Sequence, residues 1–236
     1  MPLSSRSAKR IELAPAPLGR VSAHDSAQDS AQDTDLPRRF LELVVAGVGL
    51  VLALPLFLVI VALVKLVSPG PVLFRQPRMG RGGIPFSCLK IRTMVPGAQE
   101  ELKQNLALQA LHRENGFKLP TQLDPRVTRV GRVLRRTHLD ELPQLWNVLR
   151  GDMSLVGPRP IEREQYEKWV AMNPEASDIL TAAPGIFGAW TAQGRNRVGD
   201  PDRILVEIEF IRNRSLVGDV KILLRHVSVL MVGQRE

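Results

Sequence analysis

Two adjacent carboxylates follow a run of arginines in the middle of the chain. Asp140 and Glu141 come directly before Leu142-Pro143. The arginines that precede them are Arg126, Arg129, Arg132, Arg135 and Arg136. Because proline is tolerated best in the first turn of a helix, the two acids are predicted to lie at a helix N-terminus, which favours carboxylates and phosphates alike. An ionised Asp140 among arginines has the chemistry of a metal ligand or of a nucleophile toward phosphorus, and Glu141 can move a proton.

The residue types also allow plainer interpretations of the same block. At a helix start, an acidic cap with no chemistry is commoner than an acidic nucleophile, so Asp140 also fits that simpler role. Some of the arginines share one helical face, while Val127, Val130 and Leu134 share another, and such a basic face also suits solvent or lipid headgroups. The helix after the two acids is predicted to bury one apolar stripe, made of Leu142, Leu145, Trp146 and Leu149.

An arginine between two prolines follows in Gly157-Pro158-Arg159-Pro160. The prolines restrict the backbone on both sides, so the guanidinium of Arg159 is held as a fixed, bidentate phosphate clamp. The alternative is a proline-stiffened turn in which the arginine is incidental.

A single long apolar segment precedes these motifs. Residues 43–64 are 22 consecutive uncharged residues, which as a helix would run about 33 Å and could cross a hydrocarbon core. Pro55 near its middle predicts a bend, and basic residues flank both ends. Since basic flanks tend to stay in the cytosol, we expect a re-entrant helix over residues 37–67, with a spanning signal anchor as the alternative.

Residues 1–36 differ from the rest of the chain. They contain a tandem tetrapeptide over residues 22–33 and almost no large apolar side chains. Such a segment cannot bury enough surface to offset its ordering entropy, so we expect a disordered, low-complexity tail.

Residues 68–236 are predicted to form one compact domain, which carries the motifs described above. Two extended runs, 72–74 and 86–91, flank a glycine-rich stretch and predict a β-hairpin. Amphipathic helices are predicted over 97–115, from Asp200 through an Ile204–Ile208–Ile211 stripe, and over 216–233, and they either cover the core or lie at the lipid interface. The fold class is therefore mixed α/β: a membrane helix and a compact, mostly helical domain with a small hairpin.

Composition narrows the class of partner. Lys plus Arg number 32 and Asp plus Glu 24, a net charge of +8, so an anionic partner is expected. Aromatic residues are only 5% of the chain, which leaves little for base stacking and argues against nucleic acid. Cys88, the single cysteine, excludes an intrachain disulfide and a thiolate cluster, so any metal would be held by oxygen ligands.

Four motifs in order resemble the bacterial sugar transferase family, the monotopic phosphoglycosyl transferases that begin polysaccharide assembly. They are Lys90-Ile91-Arg92-Thr93-Met94, the block 124–149, Gly157-Pro158-Arg159-Pro160, and Pro184-Gly185-Ile186-Phe187-Gly188-Ala189-Trp190. The likeness runs from about Arg38 to Val232. Ile91, Thr191 and Phe210 depart from the family pattern. The residues that form the sugar pocket are therefore not defined by the resemblance. The short chain looks most like the small exopolysaccharide branch, whose sugar is galactose or glucose.

The resemblance implies a chemistry and a set of partners. Asp140 would attack the β-phosphate of a UDP-sugar, expel UMP and carry the sugar phosphate as an acyl phosphate, and undecaprenyl phosphate would then displace it with help from Glu141. It implies Mg²⁺ bound at Asp140, and substrate binding by Lys90, Arg92, Arg135 and Arg159.

It also implies a place in the cell: the bacterial inner membrane, with the catalytic domain facing the cytoplasm and basic side chains on anionic lipids. A homodimer is left open. The competing hypothesis is a non-enzymatic, membrane-bound assembly factor of polysaccharide synthesis.

Overall fold

The computed structural model describes residues 25–114, 119, 121–192 and 200–232. The chain divides into two units after Leu36. The first helix, α1 (Asp25–Val67), contains Pro37 and Pro55. Over Leu36–Val67 it is long and apolar enough to cross a membrane, and no other helix in the described ranges is. Residues 1–24 of the expected tail lie outside these ranges, so its disorder stays a prediction, while residues 25–36 belong to α1.

The expected β-hairpin is present, and its strands are longer than the two extended runs that the sequence predicted. Strand β1 (Leu73–Met79) pairs antiparallel with β2 (Pro85–Ile91), with Arg75 opposite Leu89 and Arg78 opposite Phe86. A 3₁₀ turn, Arg81–Gly83, joins the strands and places Gly82 at φ 65°, a left-handed conformation that glycine adopts without a steric penalty. The hairpin thus presents two faces, with alternate side chains on each.

Helices make up most of the remaining domain. They are α2 (Ala98–Gln104), α3 (Leu106–Glu114), α4 (Arg129–Thr137), α5 (Gln144–Arg150), α6 (Arg163–Met172), α7 (Ala189–Ala192), α8 (Asp200–Arg212) and α9 (Leu216–Val232). The single helix predicted over 97–115 is wrong in one respect: Asn105 adopts an extended conformation, which separates α2 from α3. Its side chain accepts from the Leu108 amide and starts the second helix.

A second small sheet links two of the sequence motifs. Strand β3 (Ser154–Val156) pairs in parallel with β4 (Gly185–Phe187). A Cβ on Gly157 or on Gly185 would overlap the backbone of the other glycine's segment. The two glycines therefore let the Gly157–Pro160 segment run against the 184–190 motif.

Apolar side chains form three buried clusters. One contains Cys88, Val148 and Met153, together with Ala46 of α1. Another is built on Trp169, Ile204 and Ile208, which confirms the apolar stripe predicted for α8. The third joins Ile60 and Val64 of α1 to Ile91 and Leu134. Helix α1 therefore contributes to two of the three clusters, through Ala46 near its middle and through Ile60 and Val64 near its C-terminal end.

Polar contacts fix the N-terminal part of α1 to the same domain. Arg38 donates to Asp219 of α9 at 2.8 Å, and Arg39 donates to the Leu149 carbonyl at 3.1 Å. The buried Glu42 accepts from the hydroxyl of Ser154 and from the Leu155 amide. Arg38 and Arg39, which precede the apolar segment, thus have partners within the protein. Their expected effect on membrane orientation stays a prediction.

The buried stripe predicted for α5 is wrong at one position. Leu142, Leu145 and Leu149 pack against the core, but the Trp146 side chain is 52% exposed. It borders a cavity beside α1 instead of the core, and helical periodicity alone does not distinguish these two apolar surroundings.

Candidate active site

A tight turn holds the two carboxylates between helices α4 and α5. Helix α4 ends at Thr137, and His138 takes a left-handed conformation with φ 58°, which reverses the chain. Leu139–Glu141 then form a 3₁₀ turn, in which the Glu141 amide donates to the His138 carbonyl at 3.1 Å. The prediction that the acids lie at a helix start is confirmed in a modified form: the turn precedes α5 rather than belonging to it.

Asn147 fixes this segment to the edge of the hairpin. Its side-chain oxygen accepts from the Leu89 amide at 2.9 Å, and its amide nitrogen donates to the Ser87 carbonyl at 2.9 Å. Asn147 is 1% exposed, so the two bonds are shielded from water. They satisfy backbone N–H and C=O groups of β2 that a third strand would otherwise pair. The bonds hold α5, and the acidic turn before it, beside strand β2.

Asp140 lies among charges of both signs. Burial, followed by the neighbouring carboxylate of Glu141, raises the pKa of Asp140 to about 6, while Lys90 and Arg135 oppose the rise. Burial also lowers the pKa of Lys90, with Arg159 adding to the effect. The structure therefore brings Lys90 and Arg135 into electrostatic contact with the predicted nucleophile.

The approach of Arg135 depends on a glycine. A Cβ on Gly131 would overlap the Thr93 carbonyl, so α4 packs directly on the segment after β2. Arg135 then donates to the Thr93 hydroxyl at 2.9 Å. One guanidinium edge is thereby fixed while the charge faces Asp140.

Arg159 contacts the second carboxylate. Its Nη2 donates to Glu141 Oε1 at 3.0 Å, in a pair whose side chains are 26% and 10% exposed. Glu141 raises the pKa of Arg159. The predicted clamp arginine is thus brought to the acidic pair and holds Glu141 in place.

Arg78 belongs to this site, although no sequence motif pointed to it. Burial is the largest effect on Arg78 and lowers its pKa, and its charged neighbours include Glu162, Arg159 and Glu141. Its Nη2 pairs with Glu162 Oε1 at 3.1 Å. Alternation along β1 and β2 places Arg78 on the same hairpin face as Lys90, and this register is the signal that could have identified it.

Two other arginines have structural partners. Arg126 is buried and forms an ion pair with Asp124 at 2.8 Å. Arg92, predicted to bind substrate, donates to the carbonyls of Ser68 and Pro69 at 2.7 and 2.6 Å, just after α1. Arg92 therefore secures the C-terminal end of α1, and its role in substrate binding stays a prediction.

The donor set limits how a metal could be held. In the part of the chain that the structure describes, no group of three His, Cys, Asp or Glu side chains could hold a metal ion. Asp140 and Glu141 are adjacent, but Glu141 is engaged by Arg159. Mg²⁺ commonly binds through one or two carboxylates plus substrate phosphates, and the residues present fit that mode rather than a cage made by protein alone.

A cavity of about 840 Å³ lies on the other face of the hairpin. Helix α1 forms one wall through Ala53 and Phe57, and Leu142, which directly follows the acidic pair, forms part of another. Its lining is mainly apolar and includes Arg75 and Arg150. The cavity thus lies between α1 and the segment that follows Asp140 and Glu141.

Comparisons with known proteins agree with these motifs. Residues 34–233 match the model of a family described as bacterial sugar transferase. The chain is 37% identical over 200 residues to the exopolysaccharide production protein ExoY of Rhizobium meliloti, covering 84% of this chain and 87% of that protein.

Two further relatives have names that state a reaction. The chain is 43% identical over 206 residues to the UDP-glucose:undecaprenyl-phosphate glucose-1-phosphate transferase of Caulobacter vibrioides, covering 84% of this chain and 70% of that protein. It is also 43% identical over 165 residues to the undecaprenyl-phosphate galactose phosphotransferase of Salmonella typhimurium, covering 69% of this chain and 34% of that protein. The match thus spans about a third of the Salmonella protein.

Proposed function

The chain belongs to the bacterial sugar transferase family, and on this premise we propose that it transfers a hexose-1-phosphate from a UDP-sugar to undecaprenyl phosphate. The step would begin the assembly of an exopolysaccharide or a related glycan. The observation that carries the proposal is the placement of Asp140 and Glu141 among Lys90, Arg135 and Arg159.

The first half of the reaction uses Asp140 as the nucleophile. Its carboxylate oxygen attacks the β-phosphorus of the UDP-sugar, and the bond from that phosphorus to the bridging oxygen breaks. UMP leaves with the electron pair, and the sugar phosphate stays on Asp140 as an acyl phosphate. The diphosphate is bound by Lys90, Arg78 and Arg159, because their positive charges complement its negative charge.

The second half regenerates the carboxylate. A phosphate oxygen of undecaprenyl phosphate attacks the same phosphorus, and the bond to the Asp140 oxygen breaks, which leaves the sugar on a lipid diphosphate. Glu141 accepts any proton on the attacking phosphate, and its contact with Arg159 orients it for this role. Mg²⁺ held by Asp140 and the donor phosphates would neutralise diphosphate charge.

The lipid acceptor requires a site next to the membrane. The cavity between α1 and the hairpin has apolar walls for an isoprenoid chain and Arg75 for an anionic group, while Arg150 pairs with Asp152, which also lines the cavity. Leu142, which forms part of one wall, follows Asp140 by two residues in the chain. These features support binding of the acceptor from the bilayer side.

We place α1 in the membrane as a re-entrant helix, with the catalytic domain on the cytoplasmic side of the inner membrane. Arg38 and Val64 are 26 residues apart, about 39 Å along a helix, yet both contact the same domain. A helix crossing the bilayer would carry one of these ends away from the domain, so the two contacts support a return to the same side. The exposed apolar face of α1 is then available to lipid.

The decisive experiment is a transferase assay on membranes containing the full-length protein. A panel of UDP-hexoses is tested for UMP release and for label in extractable lipid, with and without undecaprenyl phosphate. Asp140→Asn should abolish transfer, because the neutral amide is a poor nucleophile, while the protein still fractionates with membranes. Full activity of Asp140→Asn would refute the assignment, and no transfer from any UDP-hexose by the wild type would favour the assembly factor.

Topology is tested by cysteine accessibility. Ser30→Cys should react only after permeabilisation of the membrane, as should the control Ser177→Cys in the exposed part of the catalytic domain. Labelling of Ser30→Cys alone in intact cells would show that α1 spans the membrane.

A further inference from the structure

A buried glutamate of α8 contacts the backbone that carries the clamp arginine. Glu207 is 1% exposed, and its Oε1 accepts from the Arg159 amide at 3.4 Å. Its other oxygen, Oε2, is buried and has no hydrogen-bond partner among the described residues. A carboxyl group buried with one oxygen unpaired costs free energy, so its presence calls for a function.

Glu207 accepts from the backbone N–H of the proline-framed segment Pro158–Pro160. Pro158 and Pro160 have no amide hydrogen, so the Arg159 amide is the one N–H of Pro158–Pro160. Elsewhere the segment is bound through Gly157, whose amide donates to Phe187, and through the Pro158 carbonyl, which accepts from Gly185. Glu207 therefore supplies the hydrogen bond nearest to the arginine side chain.

Helix α8 holds Glu207 at a defined position. One helical turn earlier, Arg203 stacks between two tryptophans, with its guanidinium carbon 4.6 Å from the Trp169 ring centre and 4.3 Å from that of Trp190. Trp190 belongs to the 184–190 motif and lies in α7, so the stack ties α8 to the helix that follows β4. Such cation–π contacts are favourable when desolvated and keep the helix in register.

The surroundings of Glu207 disfavour its charged form. Burial is the largest effect and raises the pKa of Glu207 to about 7, while Arg203 and the Arg159 amide oppose it. The carboxyl can accept from the Arg159 amide in either protonation state, because a protonated carboxyl keeps acceptor oxygens. The hydrogen bond, rather than the charge, is therefore the feature that links Glu207 to the site.

We propose that Glu207 is a positioning residue: by holding the Arg159 amide it fixes the guanidinium against Glu141 and the donor diphosphate. The inference rests on the proposed function, since the effect is exerted through the arginine on the transfer. A purely structural role, as the charge partner of Arg203, is the alternative interpretation.

Two conservative variants separate these roles. Glu207→Gln keeps the length and an acceptor oxygen but loses the charge, whereas Glu207→Asp keeps the charge beside Arg203 but withdraws the oxygen by one methylene. We expect Glu207→Gln to retain kcat/KM for the UDP-sugar within about threefold, and Glu207→Asp to lose about 30-fold, the equivalent of a lost hydrogen bond to a fixed partner. Glu209→Gln, an exposed change on the same helix, is the control and should match wild type.

A double-mutant cycle with Arg159→Lys completes the test. If Glu207 acts through Arg159, Glu207→Asp should add less than threefold to the loss already caused by Arg159→Lys. The inference is overturned if Glu207→Asp is as active as wild type, if Glu207→Gln is the worse variant, or if the two losses multiply. If instead the wild type releases no UMP from any UDP-sugar, the proposed function itself fails.

Discussion

The guanidinium of Arg159 and the carboxylate of Glu141 are joined by a hydrogen bond of 3.0 Å, although they come from different motifs 18 residues apart. The bond unites the proline-framed arginine with the acidic turn. Glu141 is buried, so removal of its partner would leave a charge with little access to water.

Arg159→Lys is expected to lower kcat/KM for the UDP-sugar by about 100-fold, because lysine keeps the charge but not the planar, bidentate geometry. The measurement is UMP release over a range of donor concentrations. Arg212→Lys, at an exposed ion pair with Asp178, is the control and should leave kcat/KM unchanged. Equal activity of Arg159→Lys and wild type would exclude a bidentate role.

The acidic limb of the pH profile should report Asp140. Only the carboxylate attacks phosphorus, and its pKa of about 6 means that the reactive fraction falls by half near pH 6. We expect kcat/KM to be flat above this value and to fall about tenfold per pH unit well below it. Lys90 lowers the pKa of Asp140, so Lys90→Met should move the midpoint upward as well as weaken donor binding. A midpoint near pH 4 would contradict the buried nucleophile.

Arg92 and Lys90 should respond differently to substitution. Arg92 binds two carbonyls after α1, so Arg92→Gln should lower the free energy of unfolding by about 2 kcal/mol and leave KM for the donor unchanged. Lys90→Met should raise KM or lower kcat with little effect on stability. Thermal unfolding in detergent and initial rates measure the two effects. A raised KM in Arg92→Gln would instead restore the prediction that Arg92 binds substrate.

Glu207 should make stability depend on pH. Its pKa rises from 4.5 to about 7 on folding, so the folded state binds the proton more tightly and stability falls as pH rises between these values. The loss is complete above pH 7 and amounts to at most about 3 kcal/mol. Glu207→Gln cannot ionise, so its unfolding midpoint should exceed that of wild type at pH 8 and approach it at pH 4.5. The reverse order would show that the glutamate is stabilised as an anion.

Much of the site could be predicted from local sequence signals. The acidic turn, the basic residues around it and the glycine-rich hairpin each leave such a signal, because proline, glycine and charge act over a few residues. The apolar length of residues 43–64 likewise indicates a membrane helix. These properties belong to contiguous segments, and the family match agrees with them.

Other features depend on which segments meet. Arg78 joins the site because strand register places it on the Lys90 face, and Arg92 turns to the end of α1 because that end lies beside β2. Trp146 borders the cavity beside α1 rather than the core, which depends on what packs against that face of α5.

Residue identity and short-range spacing are enough to specify the types of chemical group in the site and the apolar helix beside it. Long-range packing is needed to settle which arginine meets which carboxylate, that Glu207 meets the amide of Arg159, and that Arg38 and Val64 of α1 contact one domain. These contacts join residues far apart in the chain, and their energies come from burial and pairing that no local pattern encodes.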